Sequence, residues 1–131
     1  MEINKLLLDN LLEQAAASPR LRMNYDLRTS PEDSSQRMLN ALLPGTVLPV
    51  HRHTKTTEVL VLLRGRMEGV FYEENPIRET SRMLLEAGGP VQGLSIPVGQ
   101  WHGINVLEPT VILECKDGPY EPLAPEDMIV L

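Results

Sequence analysis

The stretch Val50-His51-Arg52-His53-Thr54-Lys55-Thr56-Thr57-Glu58-Val59-Leu60-Val61-Leu62-Leu63 sets two imidazoles two residues apart, then a polar run, then a carboxylate opening an apolar strand. In an extended segment that spacing puts His51 and His53 on one face. Thr54 to Thr57 suits a turn. If Glu58 points inward it needs a partner, because burying an unpaired charge is expensive, and a metal cation would compensate it. The third imidazole, His102, follows Pro97-Val98-Gly99-Gln100-Trp101, a turn-rich approach to another strand that can fold back beside the first pair. Taken singly, these pieces read blandly: a His-x-His pair as a solvated strand feature, and His102 beside Trp101 as a packed residue.

Outward from this stretch the hydrophobic period is two. Residues 36–43, 58–63, 67–73, 82–86, 92–96, 103–106 and 111–116 are short apolar-rich segments separated by Gly, Pro, Asn and Asp. Many short strands with frequent turns predict a β-sandwich or small barrel, and no helical stretches lie between them to supply βαβ crossovers. Arg64-Gly65-Arg66 reads as a hairpin turn. Toward the N-terminus the period changes: Ile3, Leu6, Leu7, Leu11 and Ala15 recur at three and four residues, which predicts an amphipathic helix ended by Ser18-Pro19. The tail beyond Asp117, with Pro119, Pro122 and Pro125, reads as extended, its last residues docking on the surface. The expected organisation is one domain over 1–131: a helical segment 1–18, a barrel core 36–116 and a tail 117–131.

Composition bounds the partners. The 131 residues carry a formal net charge of −6, 42% apolar residues, 4% aromatics, 3 His and 1 Cys. The core must be aliphatic. A single Cys115 excludes a disulfide scaffold, fits a reducing cytoplasmic setting, and reads as a small buried residue. The acidic balance argues against nucleic acid as a partner, since duplex binding needs a basic face. No apolar run approaches the ~20 residues that cross a bilayer, and Met1 to Lys5 lacks the pattern of a signal peptide, so no membrane partner is expected.

Taken together, the histidines and glycines carry a more specific signal. Gly45, His51, His53, Glu58 and Gly65 match G-x5-H-x-H-x4-E-x6-G at every fixed position, and Pro97, Gly99 and His102 match the centre of G-x5-P-x-G-x2-H-x3-N. Val91 stands in place of the leading Gly of the second pattern, and Asn105 comes one residue early. In these motifs the chain resembles the cupin superfamily. Over Arg20 to Tyr25 and Ser30 to Leu42 it further resembles the WbuC family of small cupin-fold metalloproteins, which is associated with bacterial surface-polysaccharide gene sets. The resemblance implies an all-β double-stranded β-helix, the cupin jelly roll or β-barrel, with an N-terminal α-helix. It also implies one metal ion held by His51, His53, Glu58 and His102.

Three imidazole nitrogens and a carboxylate oxygen suit a divalent transition metal such as Fe, Mn, Ni, Co or Zn, rather than Ca or Mg. An octahedral ion would keep two positions open, as catalytic sites do. With every histidine committed, a base must be a metal-activated water, a carboxylate of raised pKa or a Tyr. Alternation nominates further residues. Arg20, Arg22 and Asn24 share a face that either binds a carboxylate or phosphate or forms a solvated basic edge. Gln36 and Asn40 share a face with Met38 that either lines a cavity or meets solvent, and Gln100 stands where it could shape the mouth. The expected function is a metal-dependent enzyme (an isomerase, lyase or dioxygenase) acting on a small polar metabolite such as a sugar, sugar-nucleotide or organic acid. The alternative is a non-catalytic metal or small-ligand sensor. A homodimer is expected, because strand 59–63 is apolar on both faces and the helix is amphipathic.

Overall fold

The computed structural model describes residues 1–131. A single helix, α1 (Lys5–Ala17), precedes ten strands: β1 (Arg22–Asp26), β2 (Gln36–Leu42), β3 (Val50–His51), β4 (Glu58–Arg64), β5 (Arg66–Glu73), β6 (Arg78–Glu86), β7 (Gly93–Ile96), β8 (Trp101–Val106), β9 (Thr110–Lys116) and β10 (Met128–Ile129). They form two antiparallel five-stranded sheets, ordered β1-β2-β9-β4-β7 and β10-β3-β8-β5-β6. This is the expected all-β jelly-roll arrangement with one N-terminal helix.

Alternation along the first sheet sorts its residues into two cores. Inward-facing Leu42, Leu60, Leu62 and Ile112 meet Met67, Leu85, Ile96 and Val106, closing one end of the sandwich. Outward-facing Leu39, Ala41 and Val111 are covered by Leu8, Leu11 and Ala15 of α1. The helix begins at Asn4, whose side chain accepts from the Leu7 N–H at 3.0 Å, satisfying one of the donors a helix start leaves free. It ends at Ser18, before Pro19.

Several expectations need correction. The buried stripe of α1 is Leu8, Leu11 and Ala15, while Leu6 is 67% exposed and Ile3 lies outside the helix. Three consecutive leucines, Leu6 to Leu8, fit two different stripes, and contact with β2 and β9 selects the second. Strand β1 precedes the anticipated barrel core and forms one edge of the first sheet. The tail does dock: a 3-10 turn at Pro125–Asp127 leads into β10, which pairs with β3 through Met128↔His51 and Ile129↔Val50. Cys115 is half-buried on the outer face of β9 rather than in the core.

Gly65 is not a hairpin turn, because β4 and β5 belong to different sheets. It is the corner where the chain crosses between them. Its φ of +91° and the approach of Pro109 explain the glycine: a Cβ there would overlap the Pro109 carbonyl oxygen.

Candidate metal centre

β3 and β8 pair antiparallel with His51 directly opposite His102, so two residues far apart in sequence become cross-strand neighbours. Their ring centroids lie 4.4 Å apart. His53, two residues beyond His51, turns its ring toward the same point, 5.0 Å from His51 and 5.8 Å from His102. Its backbone carbonyl accepts from the Gly99 N–H at 2.8 Å, tying the segment after β3 to the turn before β8. Arg52, between the two histidines, points the other way. It pairs with Asp127 at 2.8 Å and lies over the Trp101 ring at 4.7 Å.

One potential ligand nitrogen from each histidine falls within 4.8 Å of the others, so the three can converge on a single divalent ion. The opposite ring nitrogens are held. His51 Nδ1 is 3.0 Å from the Pro49 carbonyl and His102 Nδ1 is 2.9 Å from the Gln100 carbonyl. A carbonyl only accepts, so each Nδ1 carries the proton and each Nε2 presents a lone pair. His53 Nε2 and His102 Nε2 are buried without any hydrogen-bond partner. Two orphaned buried acceptors among three converging imidazoles are what a metal would satisfy. Burial holds His53 down at about 4, and it lowers His51 as well. Both rings are therefore neutral, and ready to ligate, at pH 7.

Glu58 comes up beside His102 and His53 from the facing sheet, where it opens β4. It is 3% exposed, with carboxylate oxygens 3.2 Å from His102 Nε2 and 4.0 Å from His53 Nε2. Burial raises its pKa, but the Lys116 ammonium beside it lowers it and holds the carboxyl below the usual carboxylate range. The carboxylate is thus ionised in a nearly dry place. Lys116 stands across from it in register, Nζ 3.7 Å from Glu58 and 2.8 Å from Glu114. Burial and the neighbouring Glu58 charge push Glu114 above the usual carboxylate range. Sequence reasoning missed Lys116 and Glu114. The alternation Ile112, Glu114, Lys116 puts all three on one face of β9, but Val111, Leu113 and Cys115 make the other face the more apolar, and the pairing with β4 is what turns the charged face inward.

The cradle opens into a cavity of about 980 Å³. Arg20, Arg22, Asn24, Gln36 and Asn40 all line it together with the three histidines and Glu58. The Gln36 side-chain amide donates to the Gly118 carbonyl at 2.8 Å, and Asn24 lies opposite Asn40 across β1 and β2. Gln100 does not line it. Its amide donates to the carbonyls of Tyr72 and Trp101, and it serves the site through its own carbonyl, which orients His102. The tail, unassigned by sequence, forms one wall through residues between Asp117 and Met128. No helix is long and apolar enough to cross a membrane.

A family model described as "Domain of unknown function (DUF6016)" matches residues 3–84. No curated protein matches the chain. Among solved structures it is similar to the capsular polysaccharide assembling protein CapF from Staphylococcus aureus, with a TM-score of 0.67 and 20% identity over 87% of this chain and 32% of that one. TT1209 from Thermus thermophilus gives 0.64 and 24% over 92% of this chain and 100% of that one. Oxalate oxidase in complex with the substrate analogue glycolate gives 0.64 and 14% over 82% and 56%. The chain spans 28% to 32% of the length of the CapF structures. At these identities the likeness is one of fold, which is cupin-like.

Proposed function

This chain belongs to the family described as a domain of unknown function, DUF6016, and we propose that it is a metal-dependent enzyme, with one transition-metal ion bound by His51, His53, His102 and Glu58. The observation that carries the proposal is the pair of buried, partnerless Nε2 atoms on His53 and His102. Bound there, a metal would polarise a carbonyl or hydroxyl oxygen of the substrate. The chain's own residues supply the rest. Pro49 and Gln100 fix the ring orientations, and Lys116 keeps Glu58 ionised. Gln36 and Asn40 line the cavity, where their amides can meet a polar substrate. A cavity with room for a second molecule beside the metal favours turnover over a sensor of the metal alone.

The substrate we infer is a small polar metabolite, a sugar or sugar-nucleotide intermediate of surface-polysaccharide synthesis. Two likenesses support this: that of residues 20–42 to the WbuC family, and that of the fold to CapF, a capsular polysaccharide assembling protein. We place the protein in the cytoplasm. We also infer a homodimer through the outer face of β4, where Val59, Val61 and Leu63 are exposed in a row. The decisive experiment is elemental analysis of protein purified without added metal, beside His51→Ala and His102→Ala. Wild type should hold close to one equivalent and both variants far less. Equal metal in all three would end the proposal.

A further inference from the structure

In a chain with 18 acidic and 12 basic residues, a cation goes without a carboxylate partner because of where it is placed, not for want of acids. Nearly every Lys and Arg is paired. Arg20, Arg22 and Arg66 are the exceptions. Arg66 is exposed and away from the cavity. Arg20 and Arg22 both line the cavity, two residues apart.

The backbone of the pair is held in place, as is the Arg22 side chain, while the Arg20 side chain is exposed at the cavity wall and free to meet a ligand. Leu21 between them has φ +58°, the left-handed region that residues with a Cβ avoid. Both its peptide groups are fastened, its N–H to the Ser18 carbonyl and its carbonyl to the Leu43 N–H, each at 3.0 Å. Thr46 pins both neighbours, donating to the Arg20 carbonyl at 2.7 Å and accepting from Arg22 Nη1 at 3.5 Å. Arg22 also donates to the Val47 carbonyl at 3.0 Å. Every protein acceptor of the Arg22 guanidinium is therefore neutral. Partial burial lowers its pKa, and the charge of Arg20 lowers it further. The cavity's acids offer little relief: Lys116 engages Glu58 and Glu114, Lys55 engages Glu121, and Arg52 engages Asp127. Glu126 on the tail wall and Asp117, which accepts from the Thr57 N–H at 2.7 Å, are the cavity acids left without a cation.

Two like charges placed two residues apart at a cavity wall without a carboxylate partner describe half of an anion site. We propose that Arg20 and Arg22 form a phosphate-binding subsite, so that the molecule entering the cavity is a phosphorylated small metabolite. The proposal rests on the cavity being the substrate site, but not on the metal. Phosphate is favoured over carboxylate by charge and valence. A phosphate monoester brings close to two negative charges and three acceptor oxygens, enough for two guanidiniums, whereas one arginine can satisfy a carboxylate bidentately. A volume of about 980 Å³, at the upper end of small-molecule pockets, leaves room for a phosphorylated sugar.

The test is calorimetric titration of metal-stripped protein with inorganic phosphate and, separately, malonate. Wild type should bind phosphate at least tenfold more tightly than malonate. Arg20→Gln should weaken phosphate at least tenfold, Arg20→Lys should recover part of that loss, and Arg66→Gln should change nothing. Arg20 makes no side-chain hydrogen bond, so its loss leaves the fold intact. Arg20→Gln binding phosphate like wild type, Arg66→Gln weakening it equally, or malonate binding more tightly than phosphate would each overturn the subsite. Metal content of the same variants keeps the two proposals separable, because it should stay at the wild-type level whatever becomes of the phosphate.

Discussion

Glu58→Gln keeps the shape of a buried side chain while removing its charge, and so separates a metal ligand from a mere partner of Lys116. Without metal the two effects on stability nearly cancel. At 3.7 Å and an effective dielectric of about 20, the Glu58–Lys116 attraction is about 4.5 kcal/mol. Desolvating a carboxylate in so buried a place costs several kcal/mol in the opposite direction. Lys116 also keeps Glu114 at 2.8 Å. The metal-free variant should therefore unfold within about 2 kcal/mol of wild type. With metal the balance changes, since an amide oxygen is a far poorer ligand than a carboxylate for a divalent transition ion. We expect the dissociation constant to rise about 100-fold, or about 2.7 kcal/mol. At a metal concentration about 1,000 times the wild-type constant, the stabilisation from binding should fall from about 4.1 to about 1.4 kcal/mol. Chelator competition gives the affinity, and thermal melts with and without metal give the linkage. If Glu58→Gln binds metal within threefold of wild type, Glu58 is not a ligand. Three imidazoles would then hold the ion alone, with Glu58 serving only the Lys116 pair.

Acidification should destabilise the metal-free protein. His53 titrates at about 4 when folded against about 6.5 unfolded, so between those values the unfolded chain binds more protons and stability falls as pH falls through the window. Urea melts at pH 7, 5.5 and 4 should show a loss that His53→Asn diminishes; a flat profile in wild type would contradict the burial of that ring. Gly65→Ala should cost about 3 kcal/mol or more, from the left-handed φ and the clash with the Pro109 carbonyl together. A denaturation midpoint equal to wild type would mean that the corner has different geometry. Leu39→Ala, emptying a fully buried position beneath α1, should cost about 3 kcal/mol while leaving metal content unchanged. Loss of metal in this variant would show that helix packing and the cradle are coupled.

Local chemistry is legible in the sequence; pairing is not. His51, His53, Glu58 and His102 stand out because their types and spacings lie within short segments, and a two-residue period puts the first pair on one face whatever surrounds it. Lys116 and Glu114 stay hidden because a charged strand residue reads as solvent-facing until its neighbour is known. Only the register Glu58↔Lys116 turns that face inward. β3 and β10 have two residues each, too short for any periodic signal, yet their pairing seats His51 and closes the tail over the cavity. Gly65 misleads for a similar reason: a hairpin and a sheet-to-sheet corner call for the same residue, and only strand order separates them.

The register also explains why one end of the sandwich is dry and the other can hold a charged site. Across β2, β9 and β4 the inward residues fall into rungs. Asn40, Ile112 and Leu62 form one, Met38, Glu114 and Leu60 the next, and Gln36, Lys116 and Glu58 the last. Polarity rises along β9 and β4 toward the same end, where β2 adds Gln36, and the facing sheet supplies its histidines there, at β3 and the start of β8. A single polar residue on an inward face would be a buried liability. Three in one rung, met by imidazoles from the opposite sheet, satisfy or attract one another, while the two rungs beyond keep two apolar residues each. Site and core are thus separated along the strands, not between them. Substitutions in the last rung should accordingly alter metal and ligand binding well before they alter folding.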